Sequence, residues 1–190
     1  MDSITFVTHN KGKVASAQKY FKKAKLEIFN YDLDEPRSDD LKEIATCKVK
    51  EAYELVKKPC IALDAGFFVD ELNGFPRAFV NFALETIGID GILKLMENVE
   101  NRSCAFRECL AYYDGKEIKY FYGESKGTLT LKREGIDQEN KWSELWYIFK
   151  PLNCDKTLAQ MEDVERGERR QKDGSSSSIE EFAKWYEGAR

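Results

Sequence analysis

Residues 3–13 have the sequence SITFVTHNKGK, and this stretch decides the fold. The run from Ser3 to Val7 is rich in β-branched and aromatic residues, which predicts a buried strand. Thr8 to Lys13 is polar and turn-like, and the apolar residues after it have helical spacing. A strand, a polar turn and a helix therefore open the chain. Because the free amides at a helix N-terminus bind anions, this unit favours an anionic ligand.

The rest of the chain alternates between helical and extended patterns. Two short strands are predicted at residues 26–29 and 61–64, with a helix between them that begins near Asp40. Asp114-Gly115 lies between two strand-like runs and predicts a long hairpin. Parallel units followed by hairpins predict an α/β fold, with a mixed sheet flanked by helices. No repeat or linker divides the sequence, so we expect a single domain over residues 1–190.

Two segments of the second half are expected to be turns or loops. Gly123 and Gly127 bracket a predicted turn, and residues 167–178, charged and then serine-rich, predict a mobile loop. Ser178 and Glu181 then have the spacing of a capping box at the start of a final helix.

The composition limits the partners of the protein. The formal net charge is −4, whereas nucleic-acid binding usually requires a basic surface, so no nucleic-acid partner is expected. No apolar stretch approaches the roughly 20 residues that span a bilayer, so no membrane partner is expected either. The five cysteines include no C-x-x-C pair, which indicates reduced thiols and a cytoplasmic location.

Thr8, Asn10 and Lys13 are candidates for binding phosphate at the first strand–helix junction. They supply hydroxyl and amide donors and a lysine charge beside a helix N-terminus. The same residues also fit an N-cap followed by a solvated lysine, and spacing alone does not separate the two interpretations. The G-x-x-x-x-G-K pattern is absent, so this loop is not a Walker A loop.

Glu43 and Asp64 are candidate metal ligands. Asp64 ends a predicted strand just before Ala65-Gly66, the place where functional side chains of α/β sheets usually lie. Two carboxylates from separate elements can hold Mg²⁺ on a triphosphate and orient a water molecule. Alternatively, Glu43 completes a capping box with Asp40, and Asp64 caps a turn.

Other catalytic patterns are poorly represented. His9 is the only histidine, and no G-x-S-x-G elbow is present, which disfavours a nucleophilic hydrolase. A cluster of aromatic residues can either offer a stacking face to a base or belong to the core, and its members are Trp142, Trp146, Tyr147 and Phe149.

Four segments resemble motifs of the inosine triphosphate pyrophosphatase family and follow the family's order. Residues 6–13 resemble its T/S-G-N-x-x-K opening, and residues 63–76 resemble its D-D-S-G-L-x-V-x-A-L-x-G-x-P-G block. Residues 40–52 are similar to the helix that carries a metal-binding glutamate and a lysine. Residues 156–161 resemble its K-T-x-A-E-M segment, so the resemblance covers nearly the whole chain.

The resemblance implies a fold, a reaction and a cofactor. The fold would be elongated, with two lobes and a nucleotide cleft between them, and the protein would form a homodimer. The substrate would be a nucleoside triphosphate, typically a deaminated purine nucleotide such as ITP, dITP or XTP. Hydrolysis between the α- and β-phosphates would release the monophosphate and pyrophosphate and cleanse the nucleotide pool. Mg²⁺ would be the cofactor, and Mn²⁺ could substitute for it.

The resemblance also assigns roles by matching position. Asp64 would be the catalytic base or a metal ligand, and Glu43 would bind Mg²⁺. The substrate-binding residues would be Thr8, Asn10, Lys13, Lys48, Phe149, Arg170 and Lys172. The last two are alternative replacements for the arginine of the family's S-H-R motif.

Several positions depart from the family pattern. Leu63 stands in place of the first paired aspartate, and His9 replaces the usual glycine. The base-recognition segment falls on residues 143–149, which lack its first aromatic residue and its aspartate, and the S-H-R histidine is absent. Polar contacts give most of the selectivity between bases, so an altered base specificity is one alternative. A catalytically weakened nucleotide-binding protein is the other.

Overall fold

The computed structural model describes residues 3–139 and 141–188, which form a seven-stranded sheet and six α-helices. The strands are β1 (Ser3–Val7), β2 (Lys25–Phe29), β3 (Cys60–Val69), β4 (Pro76–Arg77), β5 (Ser103–Tyr113), β6 (Ile118–Leu129) and β7 (Phe149–Pro151). The helices are α1 (Lys11–Gln18), α2 (Leu41–Val56), α3 (Val80–Thr86), α4 (Gly88–Leu95), α5 (Asp163–Asp173) and α6 (Ser178–Gly188). The predicted mixed α/β sheet flanked by helices is confirmed.

The strand order is β2-β1-β3-β5-β6-β7, and β4 pairs with β3. Strand β1 runs parallel to both β2 and β3, as the opening units predict, whereas β3–β4 and β6–β7 are antiparallel pairs. The described chain divides into two compact units. The first unit contains residues 3–65, 108–123 and 177–188, and the second contains residues 66–107 and 124–176. The single domain and the nucleotide cleft expected from the sequence stay predictions.

The first unit has a buried parallel strand at its centre. Ile4 and Phe6 of β1 are fully buried, which explains why the opening run contains few polar residues. Helix α2 places Ala45 and Val49 in one apolar cluster with Ala62 of β3. The two alanines let the helix approach the sheet closely, and Val7 at the end of β1 belongs to the same cluster.

The C-terminal helix α6 is tied to the first unit at its two ends. Its cap is Ser177, one residue earlier than the sequence predicted, because the N–H of Glu180 donates to Ser177 Oγ at 3.5 Å. At the other end, Glu187 Oε1 accepts the N–H groups of the three consecutive residues after α1, which are Lys22, Lys23 and Ala24. A carboxylate held by three amides anchors the helix to the α1–β2 connection.

The turn predicted between Gly123 and Gly127 is wrong, because β6 continues through both glycines. The glycines mark close approaches instead. A Cβ at Gly127 would lie 2.4 Å from the carbonyl oxygen of Lys150 on the neighbouring β7, and a Cβ at Gly123 would lie 2.2 Å from Glu108 Oε1. Only glycine allows these contacts within a continuous strand.

The mobile loop predicted over residues 167–178 is also wrong for most of its length, since α5 extends to Asp173. A capping box between Glu162 and Glu165 begins the helix, and the buried Arg169 pairs with Asp173 near its end at 2.5 Å. Local ion pairs therefore support a helix where the residue composition alone favoured a loop. Among the described residues, every helix is too short or too polar to span a bilayer.

Candidate functional site

The loop between β1 and α1 is held by its own side chains. Thr8 Oγ1 accepts the Asn10 N–H at 3.2 Å, and Asn10 Oδ1 caps α1 by accepting the Lys13 N–H at 3.0 Å. The N-cap interpretation of Asn10 is therefore confirmed, whereas Lys13 is not the solvated lysine of that interpretation, because its ammonium is desolvated by burial. His9, in the same loop, places Nδ1 2.8 Å from Asp32 Oδ1, and both side chains are exposed. The loop that leads into α1 is therefore preformed, and the free amides at the helix N-terminus favour an anionic ligand.

A group of opposite charges lies next to this loop in the first unit. Lys13 Nζ donates to the carbonyl oxygen of Leu63 at 3.1 Å, which brings the lysine to β3 beside Asp64. The prediction that this strand ends at Asp64 is wrong, because β3 continues to Val69. Lys48 Nζ, on α2, donates to Asp64 Oδ1 at 3.2 Å and to Glu35 Oε1 at 2.7 Å. Asp64 is only 5% exposed. We call Lys13, Glu35, Lys48 and Asp64 the charged cluster.

The charges of the cluster are coupled. Burial raises the pKa of the Asp64 carboxyl above its ordinary value, although Lys13 and Lys48 oppose this shift. Burial lowers the pKa of the Lys13 ammonium, and Asp64 opposes that shift. Lys48 is also desolvated, but the attraction of Asp64 and Glu35 is greater, so its pKa is raised. A buried carboxylate with a shifted pKa and two specific cations is typical of a functional site.

The structure brings together only some of the predicted site residues. Asp64, Lys48 and Lys13 belong to the cluster, and Thr8 and Asn10 form the adjoining loop. Glu43 is exposed, and its Oε2 accepts a hydrogen bond from the Ser38 hydroxyl at 2.7 Å. It forms no capping box with Asp40, because the Asp40 carboxylate accepts the N–H of Lys42 instead. Metal binding by Glu43 stays a prediction.

The sequence interpretation missed Glu35. This residue lies in the acidic segment that follows β2, and its carboxylate shares Lys48 with Asp64. The position of Glu35 beyond a strand parallel to β1 was the available signal, since functional side chains collect at the carboxyl ends of parallel strands. The contact itself depends on α2, which no local pattern relates to residue 35.

The donor set of the cluster fits a hard divalent cation. Because Asp64 Oδ1 and Glu35 Oε1 both contact Lys48 Nζ, they are separated by no more than the sum of the two contact distances, 5.9 Å. Among the described residues, no group of three or more His, Cys, Asp or Glu side chains forms a metal site. Two carboxylates nonetheless suffice for Mg²⁺, because substrate phosphates and water complete its coordination.

The aromatic residues of segment 143–149, all in the second unit, are packed. Phe149 is fully buried, and its ring centroid lies 4.9 Å from that of Phe106 and 6.0 Å from that of Phe67. Arginine side chains cover its neighbours, with Arg166 5.0 Å from the centre of the Trp146 ring and Arg133 3.8 Å from the centre of the Tyr147 ring. Substrate binding by Phe149 stays a prediction, and it would require a ring face that this packing covers.

Replacing Phe149 by alanine is expected to lower the free energy of unfolding by about 3–5 kcal/mol, because it leaves a cavity in the core of the second unit. Urea denaturation would measure the change. Leu131→Ala is the control, since that apolar side chain of the same unit is 82% exposed and its loss should cost less than about 0.5 kcal/mol. A stable Phe149→Ala protein with weakened nucleotide binding would instead assign the ring to the substrate.

The two cations predicted to replace the S-H-R arginine lie in the last turns of α5, also in the second unit. Arg170 is half-buried and Lys172 is exposed. Their neighbour Arg169 is the buried one, and besides Asp173 it donates to Ser125 Oγ at 3.1 Å. The roles of Arg170 and Lys172 in binding substrate stay predictions.

Comparison with known proteins identifies the family. Residues 4–175 match the sequence model of the Ham1 family. The chain belongs to this family. A dITP/XTP pyrophosphatase of Thermococcus kodakarensis is 33% identical, over 96% of this chain and 96% of its own. A second, from Methanothermobacter marburgensis, is 31% identical over 96% of this chain and 95% of its own. The family resemblance seen in the motifs is confirmed.

The fold agrees with that of solved Ham1 proteins. The Staphylococcus aureus Ham1 protein superposes with a TM-score of 0.79 at 23% identity, and the match covers 100% of both chains. A HAM1 protein from Coxiella burnetii gives a TM-score of 0.81 at 17% identity, over 99% of this chain and 100% of the other. At these identities the likeness concerns the fold alone.

Proposed function

We propose that the protein hydrolyses nucleoside triphosphates to the monophosphate and pyrophosphate, and that deaminated purine nucleotides such as ITP, dITP and XTP are its substrates. The names of the Thermococcus and Methanothermobacter relatives support the reaction and the substrate class. The observation that carries the chemistry is the buried Asp64 beside Lys13 and Lys48. Its role in the cell is the removal of such nucleotides from the pool.

The charged cluster supplies what phosphoryl transfer needs, which is mainly positioning and charge neutralisation. The N-terminal amides of α1, with Thr8, Asn10 and Lys13, hold the triphosphate. Asp64 accepts the proton of the attacking water, whose oxygen forms the new bond to phosphorus as the bond to the pyrophosphate oxygen breaks. Lys48 balances the negative charge that gathers on the phosphate oxygens.

The cofactor of this reaction is Mg²⁺, and Mn²⁺ can substitute for it. Bound by Asp64 and Glu35, the cation would neutralise phosphate charge and orient the triphosphate. Glu35 has a second task in this proposal. Through its contact with Lys48, Glu35 would also keep that lysine in place beside Asp64, since the lysine contacts both carboxylates.

The assembly and location of the protein are further parts of the proposal. It forms a homodimer, acts in the cytoplasm, and has no nucleic-acid or membrane partner. The net charge of −4 supports the absence of a nucleic-acid partner. The exposed rings of Phe79 and Phe82 on the second unit support a subunit contact.

A catalytically weakened nucleotide-binding protein is the second candidate. Leu63, which stands where the family has its first paired aspartate, is the observation that favours it. Leu63 is almost fully buried and offers the site only its carbonyl group, which accepts a hydrogen bond from Lys13. Without a carboxylate at this position, the site would bind the nucleotide and not turn it over.

Pyrophosphate release from a panel of nucleotides tests both candidates. The panel contains ITP, XTP, dITP and the common NTPs and dNTPs, each with Mg²⁺ and with Mn²⁺. Turnover of the deaminated purines that exceeds that of ATP and GTP supports the proposal. Equal turnover of the nucleotides with every base would indicate an altered base specificity, because the polar contacts that distinguish one base from another would then be absent. Tight calorimetric binding with no release of pyrophosphate would favour the second candidate.

A further inference from the structure

The segment that follows β2, residues 30–35, is fixed beside the loop between β1 and α1. Just before the segment begins, the carbonyl oxygen of Phe29 accepts the Thr8 N–H at 3.1 Å. Within the segment, Leu33 is buried in the same apolar cluster as Val7, the last residue of β1. A backbone hydrogen bond and the packing of one apolar side chain therefore hold the segment against the loop.

Two carboxylates of this segment each contact a basic side chain of another element. Glu35 accepts a hydrogen bond from Lys48 on α2 at 2.7 Å. Asp32, three residues earlier, places Oδ1 2.8 Å from Nδ1 of His9 in the loop. Because Lys48 also contacts Asp64, the segment connects His9 with the charged cluster.

The contact with Asp32 leaves the second ring nitrogen of His9 for a ligand. The hydrogen bond made by one nitrogen of an imidazole decides which nitrogen a ligand meets, and here Nδ1 is engaged, so Nε2 remains. The side chain is 58% exposed, and it makes no other hydrogen bond or ion pair in the part of the chain that the structure describes. In the protonated ring Nδ1 donates to Asp32, and Nε2 carries a second proton that an anion can accept.

We propose that His9, oriented by Asp32, binds the pyrophosphate half of the triphosphate through its Nε2 proton. The inference rests on the proposed function, which places the triphosphate at Thr8 and Asn10 and the attacked α-phosphorus at Asp64. Among the described residues, His9 forms no hydrogen bond or ion pair with the charged cluster, so we assign to it the phosphates beyond the α-phosphate. The family pattern has glycine at this position, and its resemblance therefore implies no such contact.

Equilibrium binding to the full-length protein tests this inference without turnover. Calorimetry with Mg²⁺ gives the Kd of tripolyphosphate, which has no nucleoside, and of IMP, which has only the α-phosphate. His9→Ala is expected to weaken tripolyphosphate binding by about 10-fold, because one charge-assisted hydrogen bond is lost. Its Kd for IMP should stay within about two-fold, since IMP lacks the phosphates that His9 contacts.

Asp32→Asn separates the orientation of His9 from an effect of net charge. Removing a negative charge near an anion site would by itself strengthen tripolyphosphate binding. The inference expects the opposite, a weakening by about three-fold or more, because asparagine no longer holds the imidazolium. In the His9→Ala background the same substitution should cause no weakening, since its partner is gone. Asp34→Asn is the matched control, an exposed aspartate of the same segment whose Kd should stay within about two-fold.

Two results with His9→Ala would overturn the inference. They are an unchanged Kd for tripolyphosphate and a loss of IMP binding as large as that of tripolyphosphate, which would place His9 at the nucleoside. Stronger tripolyphosphate binding by Asp32→Asn would overturn the positioning role of Asp32. If the wild-type protein binds tripolyphosphate but releases no pyrophosphate from any nucleotide, the proposed hydrolysis fails, and the His9 comparison still decides the phosphate contact.

Discussion

Replacing Asp64 by asparagine is expected to reduce pyrophosphate release by at least about 10³-fold, while the protein stays folded. Asparagine has the shape of aspartate and keeps an oxygen that can accept the Lys48 hydrogen bond, which is 3.2 Å long. It cannot accept a proton from water or supply a negative charge to a cation. Steady-state kinetics with ITP and Mg²⁺ would measure the loss, and it should appear in kcat rather than in KM.

The control for this variant is Asp70→Asn, an exposed aspartate in the second unit. Its kcat should stay within about two-fold of the wild-type value, as is usual for a substitution at an exposed position. Retention of more than a tenth of the activity by Asp64→Asn would contradict the assignment of the catalytic base. In that case the metal-binding role of Asp64 would also need another residue.

The same variant has a consequence for stability. Burial raises the pKa of Asp64 in the folded protein above its ordinary value, so the folded state binds this proton more tightly than the unfolded chain does. The contribution of Asp64 to the free energy of unfolding therefore falls as the pH rises from the ordinary aspartate pKa through the raised one. This share of the pH dependence should disappear in Asp64→Asn, which is consistent with a charge kept for function and not for stability.

The parts of the site that local sequence predicts are those built by neighbouring residues. Asn10 caps α1 three residues before Lys13, so the loop was visible in the spacing of polar and apolar residues. Asp64 was visible because it ends a buried run of β3. Both features depend on periodicity and chain order, which a single sequence contains.

The parts that the sequence did not predict depend on contacts between distant segments. Glu35 meets Lys48, which also contacts Asp64, only because α2 packs across the sheet. Gly127 resembled a turn residue, but its lack of a side chain instead lets β7 approach β6. In the sequence, a phenylalanine at position 149 looks the same whether its ring stacks on a ligand or fills a core. Its burial is a property of the second unit as a whole.

Glu35→Gln and Glu43→Gln form a pair that tests which glutamate serves the metal. Glu35→Gln is expected to weaken Mn²⁺ binding and activity by about 10–100-fold, because it removes one of the two carboxylates near Lys48. Glu43→Gln should change both by less than about two-fold, since its carboxylate contacts the Ser38 hydroxyl at the surface. Electron paramagnetic resonance of Mn²⁺ with the nucleotide-free protein measures the binding directly.

The two substitutions are matched in chemistry, so their difference isolates position. Both remove one negative charge from the same unit and leave a side chain of nearly equal size. A long-range effect of net charge would act on both variants alike and would be reduced by salt. A larger loss in Glu43→Gln would support the metal-binding role that the family resemblance implies for Glu43. A loss confined to Glu35→Gln would mean that the metal-binding carboxylate comes from the segment after β2, so that one lysine on α2 connects both ligands of the cation.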